Sequence, residues 1–181
     1  MKLHMMIATG VAAMGFMSFA ADAPMMSSSD KKFVMEAADG GMVEVELGKL
    51  AASKATDQKV KDFGQKMVDD HTKANNELKT VAQSKNVTLP AAVGAKNKAL
   101  MDKLSAMSGA SFDKAYVAAM VKDHKKDVAD FQKEANGGKD TDVKGFASKT
   151  LPTLQEHLKM IQDIQSAQMG GGKMSADKKM D

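Results

Sequence analysis

The sequence predicts an all-α protein, a bundle of four long helices with one short additional helix. Two observations support this prediction. Apolar residues recur every three or four positions over long segments, as one buried helix face requires. Aromatic residues make up 4% of the 181-residue chain, whereas Ala, Met and Lys, which favour helix, are abundant. This length fits one domain with one core.

The composition excludes several classes of function. The chain has no cysteine, which rules out disulfides, thiolate metal sites, cysteine nucleophiles and a lipid anchor on an N-terminal cysteine. Its formal charge is +3 and every basic residue is Lys, which lacks the planar fork that reads guanine edges. We therefore expect no specific binding of nucleic acid. Phosphate-binding loops, nucleophile elbows and HExxH motifs are missing from the sequence, so a non-enzymatic role is favoured while an enzymatic one stays open.

The first 20 residues predict a signal peptide. Lys2 precedes an apolar run from Leu3 to Phe19, and the run ends in small residues that place the cleavage after Ala20, with an alternative after Ala23. The mature protein is then periplasmic or associated with the cell envelope. No later segment is long and apolar enough to form a transmembrane helix, so none is expected in the mature chain.

The predicted helices follow a flexible N-terminal segment, 21–29, and form one bundle domain, 30–168. Their predicted ranges are 31–54, 57–85, 95–107, 111–136 and 141–168. Asp30, Asp57 and Ser111 are the predicted N-caps. The short third helix is expected across one end of the bundle, and Pro152 is expected to kink or divide the last helix. The remaining segment, 169–181, is rich in Gly and Lys without periodicity and is predicted to be a disordered tail.

One polar residue lies on the apolar face of each long helix. These residues are Glu44, His71, His124 and His157. A bundle could bring them together, although Glu44 and His71 differ in predicted depth by about one turn, about 5 Å. On the first helix, Glu36 could face inward, whereas Glu46 is expected to face solvent. Gly40 and Gly41 predict a close approach of a neighbouring helix or side chain.

The three histidine segments resemble a known family. MVDDHTKANNELKTVAQSKNVTLP, SFDKAYVAAMVKDHKKDVADFQKEA and FASKTLPTLQEHL are similar to the domain of unknown function 4142 family, whose members are often labelled predicted outer-membrane proteins. The resemblance covers about residues 30–168. It implies a ferritin-like helical bundle in an exported protein, and it implies no activity.

The chain differs from ferritin-like enzymes in its ligand pattern. A di-iron carboxylate site uses a Glu-x-x-His motif on each of two helices. Val68 stands three residues before His71, and Leu154 stands three residues before His157. Since these bridging carboxylates are missing, ferroxidase or oxygenase chemistry of that kind is disfavoured.

The inward cluster allows three interpretations. It is a buried polar cluster that specifies helix register, a site for Zn, Cu, Ni or Fe(II), or a catalytic acid–base site. Asp127 could orient His124. The carboxylates that directly precede core histidines are expected mainly at the surface, with a supporting role across a helix contact as the alternative; they are Asp70, Asp123 and Glu156.

Two further ideas concern the periphery. The terminal methionines offer soft ligands for Cu(I), although methionine more often fills cores and decorates flexible tails; they are Met25, Met26, Met169, Met174 and Met180. The short helix could present Leu100, Met101 and Leu104 to an envelope protein partner. The favoured function is a non-enzymatic exported module for binding or envelope stress, with a metal-binding or metal-dependent redox protein as the alternative. Oligomeric state is left open.

Overall fold

The structure, a computed structural model, describes residues 26–177 and the side chains of residues 26–170. The predicted signal peptide lies outside the described residues. Five helices follow one another, and no strand occurs within the described range. They are α1 (Ser28–Lys54), α2 (Gln58–Ser84), α3 (Ala95–Ser105), α4 (Gly109–Gly137) and α5 (Thr141–Asp177).

The four long helices form two antiparallel hairpins, α1 with α2 and α4 with α5, packed side by side so that α1 neighbours α4 and α2 neighbours α5. The hairpins are joined by the long connection that contains α3. One long crossover between the second and third long helices is the connectivity of ferritin-like bundles. The predicted fold class is therefore confirmed. None of the described helices combines the length and hydrophobicity needed to span a membrane.

Buried carboxylates fix the loops at both ends of the bundle. At one end, Asp113 accepts hydrogen bonds from the backbone N–H groups of Thr56 and Asp57 and from the Thr56 hydroxyl. At the other, Asp30 accepts from the backbone N–H groups of Lys139 and Asp140. Burial alone would raise the pKa of Asp30, but these donors outweigh it and lower that pKa. The predicted role of Asp30 as N-cap of α1 is wrong, because Ser27 caps α1 and Asp30 holds the start of α5.

The short helix α3 runs along α1 rather than across the end of the bundle, which corrects the prediction. Its first turn is tied to α1 because the Gly94 N–H and the Asn97 amide donate to the Asp39 carboxylate. Its last turn is tied by the Lys54 ammonium, which donates to the Ser105 carbonyl. Amphipathic periodicity identified the buried face of α3 but could not tell which neighbour covers it. Leu104 is buried, and Leu100 and Met101 are partly buried against the core, so the predicted partner surface on α3 is not available.

Other predicted boundaries hold in part. Asp57 caps α2 as expected, whereas α4 begins at Gly109 after Ser108 rather than at Ser111. Helix α5 is continuous through Pro152, which lies on its exposed face, so the helix is not divided there. It continues past Gln168, the predicted end, to Asp177.

Glycines permit a close backbone contact between α1 and α2. A Cβ built on Gly64 would lie 2.7 Å from the Gly48 carbonyl oxygen, and the converse distance is also 2.7 Å. Backbones can approach this closely only where side chains are missing. Of the two glycines predicted to mark a close approach, Gly41 does so, because a Cβ there would lie 2.0 Å from Asn75 Oδ1, whereas Gly40 faces open space.

The core consists of two apolar clusters separated by the histidines. One surrounds Phe63, Phe112 and Tyr116, and the other surrounds Phe33, Phe131 and Phe146. Along α2 the first cluster ends with Met67 and the second resumes with Leu78, and His71 lies between them. The polar residues therefore form one layer across the middle of the bundle.

Candidate metal centre

The structure brings the four predicted site residues together. We call Glu44, His71, His124 and His157 the polar layer. All four are buried, with relative exposures of 3%, 5%, 0% and 0% respectively. Each comes from a different long helix, so the layer exists only because all four helices pack.

The three imidazoles converge on one another. Their ring centroids lie 5.9 Å apart for His71 and His124, 5.3 Å for His71 and His157, and 5.5 Å for His124 and His157. One ring nitrogen from each lies within 4.8 Å of one from each of the others. Three nitrogens at such separations surround a volume that a single metal ion could occupy.

Each imidazole is oriented through one of its two nitrogens. His71 Nδ1 lies 2.9 Å from Glu44 Oε2, His124 Nδ1 lies 3.1 Å from the Met120 carbonyl oxygen, and His157 Nε2 lies 2.8 Å from Asp70 Oδ2. Carboxylate and carbonyl acceptors fix these nitrogens as N–H donors. In each ring, the second nitrogen is therefore left with its lone pair.

Those second nitrogens have no hydrogen-bond partner among the described residues. They are His71 Nε2, His124 Nε2 and His157 Nδ1, and no described donor reaches Glu44 Oε1 either. Glu44 Oε1 lies 3.6 Å from His124 Nε2, beyond hydrogen-bonding distance. A buried polar atom without a partner costs about 1–3 kcal/mol. This arrangement is the one that metal-binding histidines adopt, with one nitrogen held by an acceptor and the other free for the ion.

The electrostatics keep the imidazoles neutral. Burial lowers the pKa of His71 to about 4 against the opposing charges of Asp127 and Asp70. Burial and the neighbouring imidazoles lower the pKa of His124 to about 3. For His157, burial lowers the pKa and outweighs the hydrogen bond that His157 donates to Asp70. Neutral rings retain the lone pairs that a metal ion needs.

A second carboxyl lies beside Glu44. Glu44, His124 and Asp127 each offer a ligand atom within 4.8 Å of the others. Burial raises the pKa of Glu44 well above its usual value, the charge of Asp123 raises it further, and the neighbouring Asp127 carboxyl acts in the opposite direction. Burial and the charges of Glu44 and Asp123 raise the pKa of Asp127 to about 9. The two carboxyls therefore form a pair that retains a proton near neutral pH.

Apolar residues seal the layer on one side. The Phe63 ring packs edge-on against His124 and His157, with centroids 6.2 and 6.0 Å away. Tyr116 lies beyond it, and burial together with the charge of Glu44 raises the pKa of its hydroxyl. On the other side is a cavity of about 20 Å³ lined by Glu44, His71 and Asp127 among others. That volume holds about one water molecule.

Sequence reasoning missed part of this arrangement. Asp70 was expected mainly at the surface, yet it crosses to α5 and holds His157, which is the supporting role given as the alternative. Asp127 does not orient His124, because the Met120 carbonyl does so, but it joins Glu44 and His124. Glu36 is exposed rather than inward, and Glu46 is exposed as predicted. The one available signal for Asp70 was its position beside a core histidine at a helix contact.

The molecule is a four-helix bundle with a crossover and a buried layer of histidines. Residues 16–164 match the model of a family described as Domain of unknown function (DUF4142). The chain belongs to this family, which confirms the predicted membership. A search of curated protein sequences gave no match.

Three solved structures illustrate the fold. A DUF305 fragment from Deinococcus radiodurans is 10% identical, with 80% of this chain and 99% of that chain covered and a TM-score of 0.69. CopM in the Cu(II)-bound form is 14% identical, with 76% and 96% covered and a TM-score of 0.65. A DUF305 protein from Streptomyces coelicolor is 12% identical, with 77% and 91% covered and a TM-score of 0.65. At these identities the likeness shows the fold.

Proposed function

We propose that this protein binds one divalent transition-metal ion at the polar layer, with copper as the first candidate, in the compartment to which its predicted signal peptide exports it. Two observations carry the proposal: each of the three buried imidazoles has one nitrogen without a described partner, and the three rings offer nitrogens within 4.8 Å of one another. His71, His124 and His157 would hold the ion, and Glu44 would supply a fourth ligand and compensating charge.

The donor set favours an ion of intermediate softness. Imidazole suits Cu, Zn, Ni and Fe, whereas Mg and Ca prefer oxygen ligands alone. Among divalent ions of the first row, Cu(II) binds most tightly to a given set of nitrogen and oxygen ligands. A fold-level neighbour, CopM, has been solved in Cu(II)-bound and Cu(I)-bound forms, which makes copper the natural first ion to test.

The surroundings favour binding over catalysis. The cavity beside the layer measures about 20 Å³, far below the roughly 300 Å³ of a small ligand pocket. An organic substrate would not fit beside the ion. The proposed role is therefore to hold or buffer the metal, which unites the favoured non-enzymatic module with the metal-binding alternative.

The main competing hypothesis is a polar cluster that only specifies how the helices pair. It explains four polar residues in a core. It does not explain why one nitrogen of each ring lacks a partner among the described residues while the other nitrogen of the same ring has one. A structural cluster would be expected to satisfy both sides of each ring.

The test is titration of tag-free full-length protein with Cu(II) against a competing chelator of known affinity, with Zn(II) in parallel. We expect one ion per chain and a rise in the unfolding temperature as the ion binds the folded state. His71→Ala and His157→Ala should each weaken binding by more than about 100-fold, since each removes a ligand.

The matched control is Thr72→Ala, an exposed neighbour of His71 on α2 that offers no imidazole, and it should bind as the wild type does. Circular dichroism identifies any variant that fails to fold, and His71→Gln then replaces His71→Ala. The proposal fails if the folded wild type binds no stoichiometric metal, or if binding survives the loss of all three inward histidines.

A further inference from the structure

The polar layer poses a problem of access for an ion. His124 and His157 are fully buried and His71 is 5% exposed. The apolar cluster around Phe63 closes one side of the layer. A metal ion that reached the three ring nitrogens would have to give up its water in a region where few groups replace it. The route by which it arrives is therefore a property that the structure should explain.

A second group of ligand atoms lies on the outer side of the layer. Glu44, His124 and Asp127 lie within 4.8 Å of one another, and we call this group the outer position. It shares Glu44 and His124 with the polar layer. Glu44 Oε1 and His124 Nε2 are the buried atoms in it without a described partner, and Glu44 is 3% exposed. Asp127, in contrast, is half-buried and has contact with solvent.

The surroundings of the outer position leave room for passage. The cavity of about 20 Å³ is lined by Gly40, Gly41 and Glu44 on α1, by Asp127 on α4 and by residues of α2 and α5. A Cβ built on Gly40 would meet no atom within 4 Å. Gly40 lies one helical turn before Glu44, and it is partly exposed. Gly40 thus lines the cavity without a side chain that could fill it.

Negative charge lies on the same side. Asp123, one turn before Asp127 on α4, is also half-buried, and its charge acts on Glu44 and Asp127. Carboxylates at the mouth of a narrow opening raise the local concentration of cations and speed their association.

We propose that Glu44, His124 and Asp127 form an outer cation position through which a transition-metal ion passes between solvent, beside Gly40, and the three inward histidines. The inference rests on the proposed metal-binding function. Because Glu44 and His124 belong to both positions, the ion exchanges Asp127 and water for His71 and His157 one ligand at a time. It is never without several ligands on the way.

The test is stopped-flow measurement of Cu(II) association and of its removal by excess chelator, combined with equilibrium affinity. Asp127→Asn should lower the association rate constant about tenfold, because the outer position loses the carboxyl that releases its proton and offers an oxygen to the incoming ion. The rate of removal should fall as well, so the affinity changes less than either rate. Gly40→Leu fills the opening and should slow both rates with the affinity unchanged, because Gly40 offers no ligand.

Each variant has a matched control on the same molecule. Asp130→Asn removes a carboxylate one turn beyond Asp127 that pairs with Lys126 at 2.6 Å. Gly145→Leu adds the same side chain at an exposed helical glycine whose Cβ would also meet no atom within 4 Å. Both controls should keep wild-type rates. If Gly40→Leu does not fold, Gly40→Ala gives the smaller change in the same direction.

The outcomes separate this inference from the proposed function. If the wild type binds copper and both test variants keep wild-type rates, the outer position is overturned and the metal site stands. If Asp127→Asn lowers the affinity as much as the association rate, with removal no slower, Asp127 is a resting ligand and the route is overturned. If the wild type binds no copper at all, the proposed function fails first.

Discussion

At the end of the bundle where α1 turns into α2, the buried carboxylate of Asp113 accepts three hydrogen bonds, two from backbone N–H groups and one from the Thr56 hydroxyl. In the middle of the bundle, the equally buried Glu44 contacts His71, while its second oxygen reaches no described donor. Both side chains are at most 4% exposed.

The difference teaches what each buried polar group is for. A buried carboxylate whose oxygens all accept hydrogen bonds from the protein stabilises the fold, because its removal leaves those donors without an acceptor. A layer with unpartnered atoms on its inner side costs stability. Residues that cost stability are retained when the same atoms serve a function, here the proposed binding of a metal ion.

The largest effect should follow from Asp113→Ala. Three donors lose their acceptor, so the free energy of unfolding should fall by about 3–4 kcal/mol. The copper affinity of the folded fraction should not change, since Asp113 holds a loop at the end of the bundle and does not belong to the polar layer. Urea unfolding with a parallel copper titration measures both. A loss of copper affinity in the folded variant would contradict the division between the two regions.

The polar layer should dominate the acid side of stability in the metal-free protein. The pKa of His124 is about 3 in the fold against 6.5 for the free side chain. The unfolded chain therefore takes up a proton below pH 6.5 that His124 in the folded protein does not take up, so the contribution of His124 to stability falls as the pH drops from 6.5 towards 3. Between pH 6.5 and 4.5, His124 alone accounts for roughly 2–3 kcal/mol.

His124→Leu should flatten this dependence, because it removes the group that titrates and keeps the volume. Thermal unfolding of metal-free protein at pH 6.5 and 4.5 measures it. Met120→Leu, a buried neutral change one turn away on α4, is the control and should retain the wild-type slope. Equal slopes for His124→Leu and the wild type would show that His124 is not held neutral by burial.

Glu44→Gln should separate stability from binding. The amide oxygen can still accept from His71 Nδ1, while the buried carboxyl is gone, so the stability of the metal-free protein should stay within about 1 kcal/mol of wild type or rise. Copper affinity should fall by about 10–100-fold because the compensating charge is lost. The matched variant Asp113→Asn should lower the stability and leave the copper affinity unchanged. If Glu44→Gln and Asp113→Asn destabilised the protein equally, the proposed difference between the two buried carboxylates would be wrong.

The smallest effect should come from Asp70→Asn. Asp70 holds His157 from outside the layer and also pairs with Lys66 at 3.1 Å, and it remains partly exposed. Loss of such a supporting carboxylate lowers metal affinity about tenfold. Asp69→Asn, at the neighbouring exposed position, is the control. Isothermal titration with copper compares the two variants. Equal affinities would show that Asp70 does not support metal binding at the polar layer.

Much of the fold was predictable because its signals are local. Helical periodicity located each of the five helices between residues 26 and 177, and Asp57 was recognised as a cap because a cap bonds to its own helix. Asp30 was assigned to α1 by the same logic and proved to bond α5 instead. The sequence indicates that Asp30 is a good hydrogen-bond acceptor. It does not indicate which donors reach Asp30, because those donors belong to residues more than 100 positions away.

The sequence alone determined that four helices each turn one polar residue inward, since the spacing of apolar residues fixes which face of a helix is buried. Only the tertiary structure decided that Glu44 and His71 lie at the same depth, that Asp70 reaches across to His157, and that α3 lies along α1. The physical reason is that periodicity specifies rotation about a helix axis. Axial offset and the choice of neighbour depend on how the helices pack, including the Gly48 and Gly64 contact that sets how closely α1 and α2 approach.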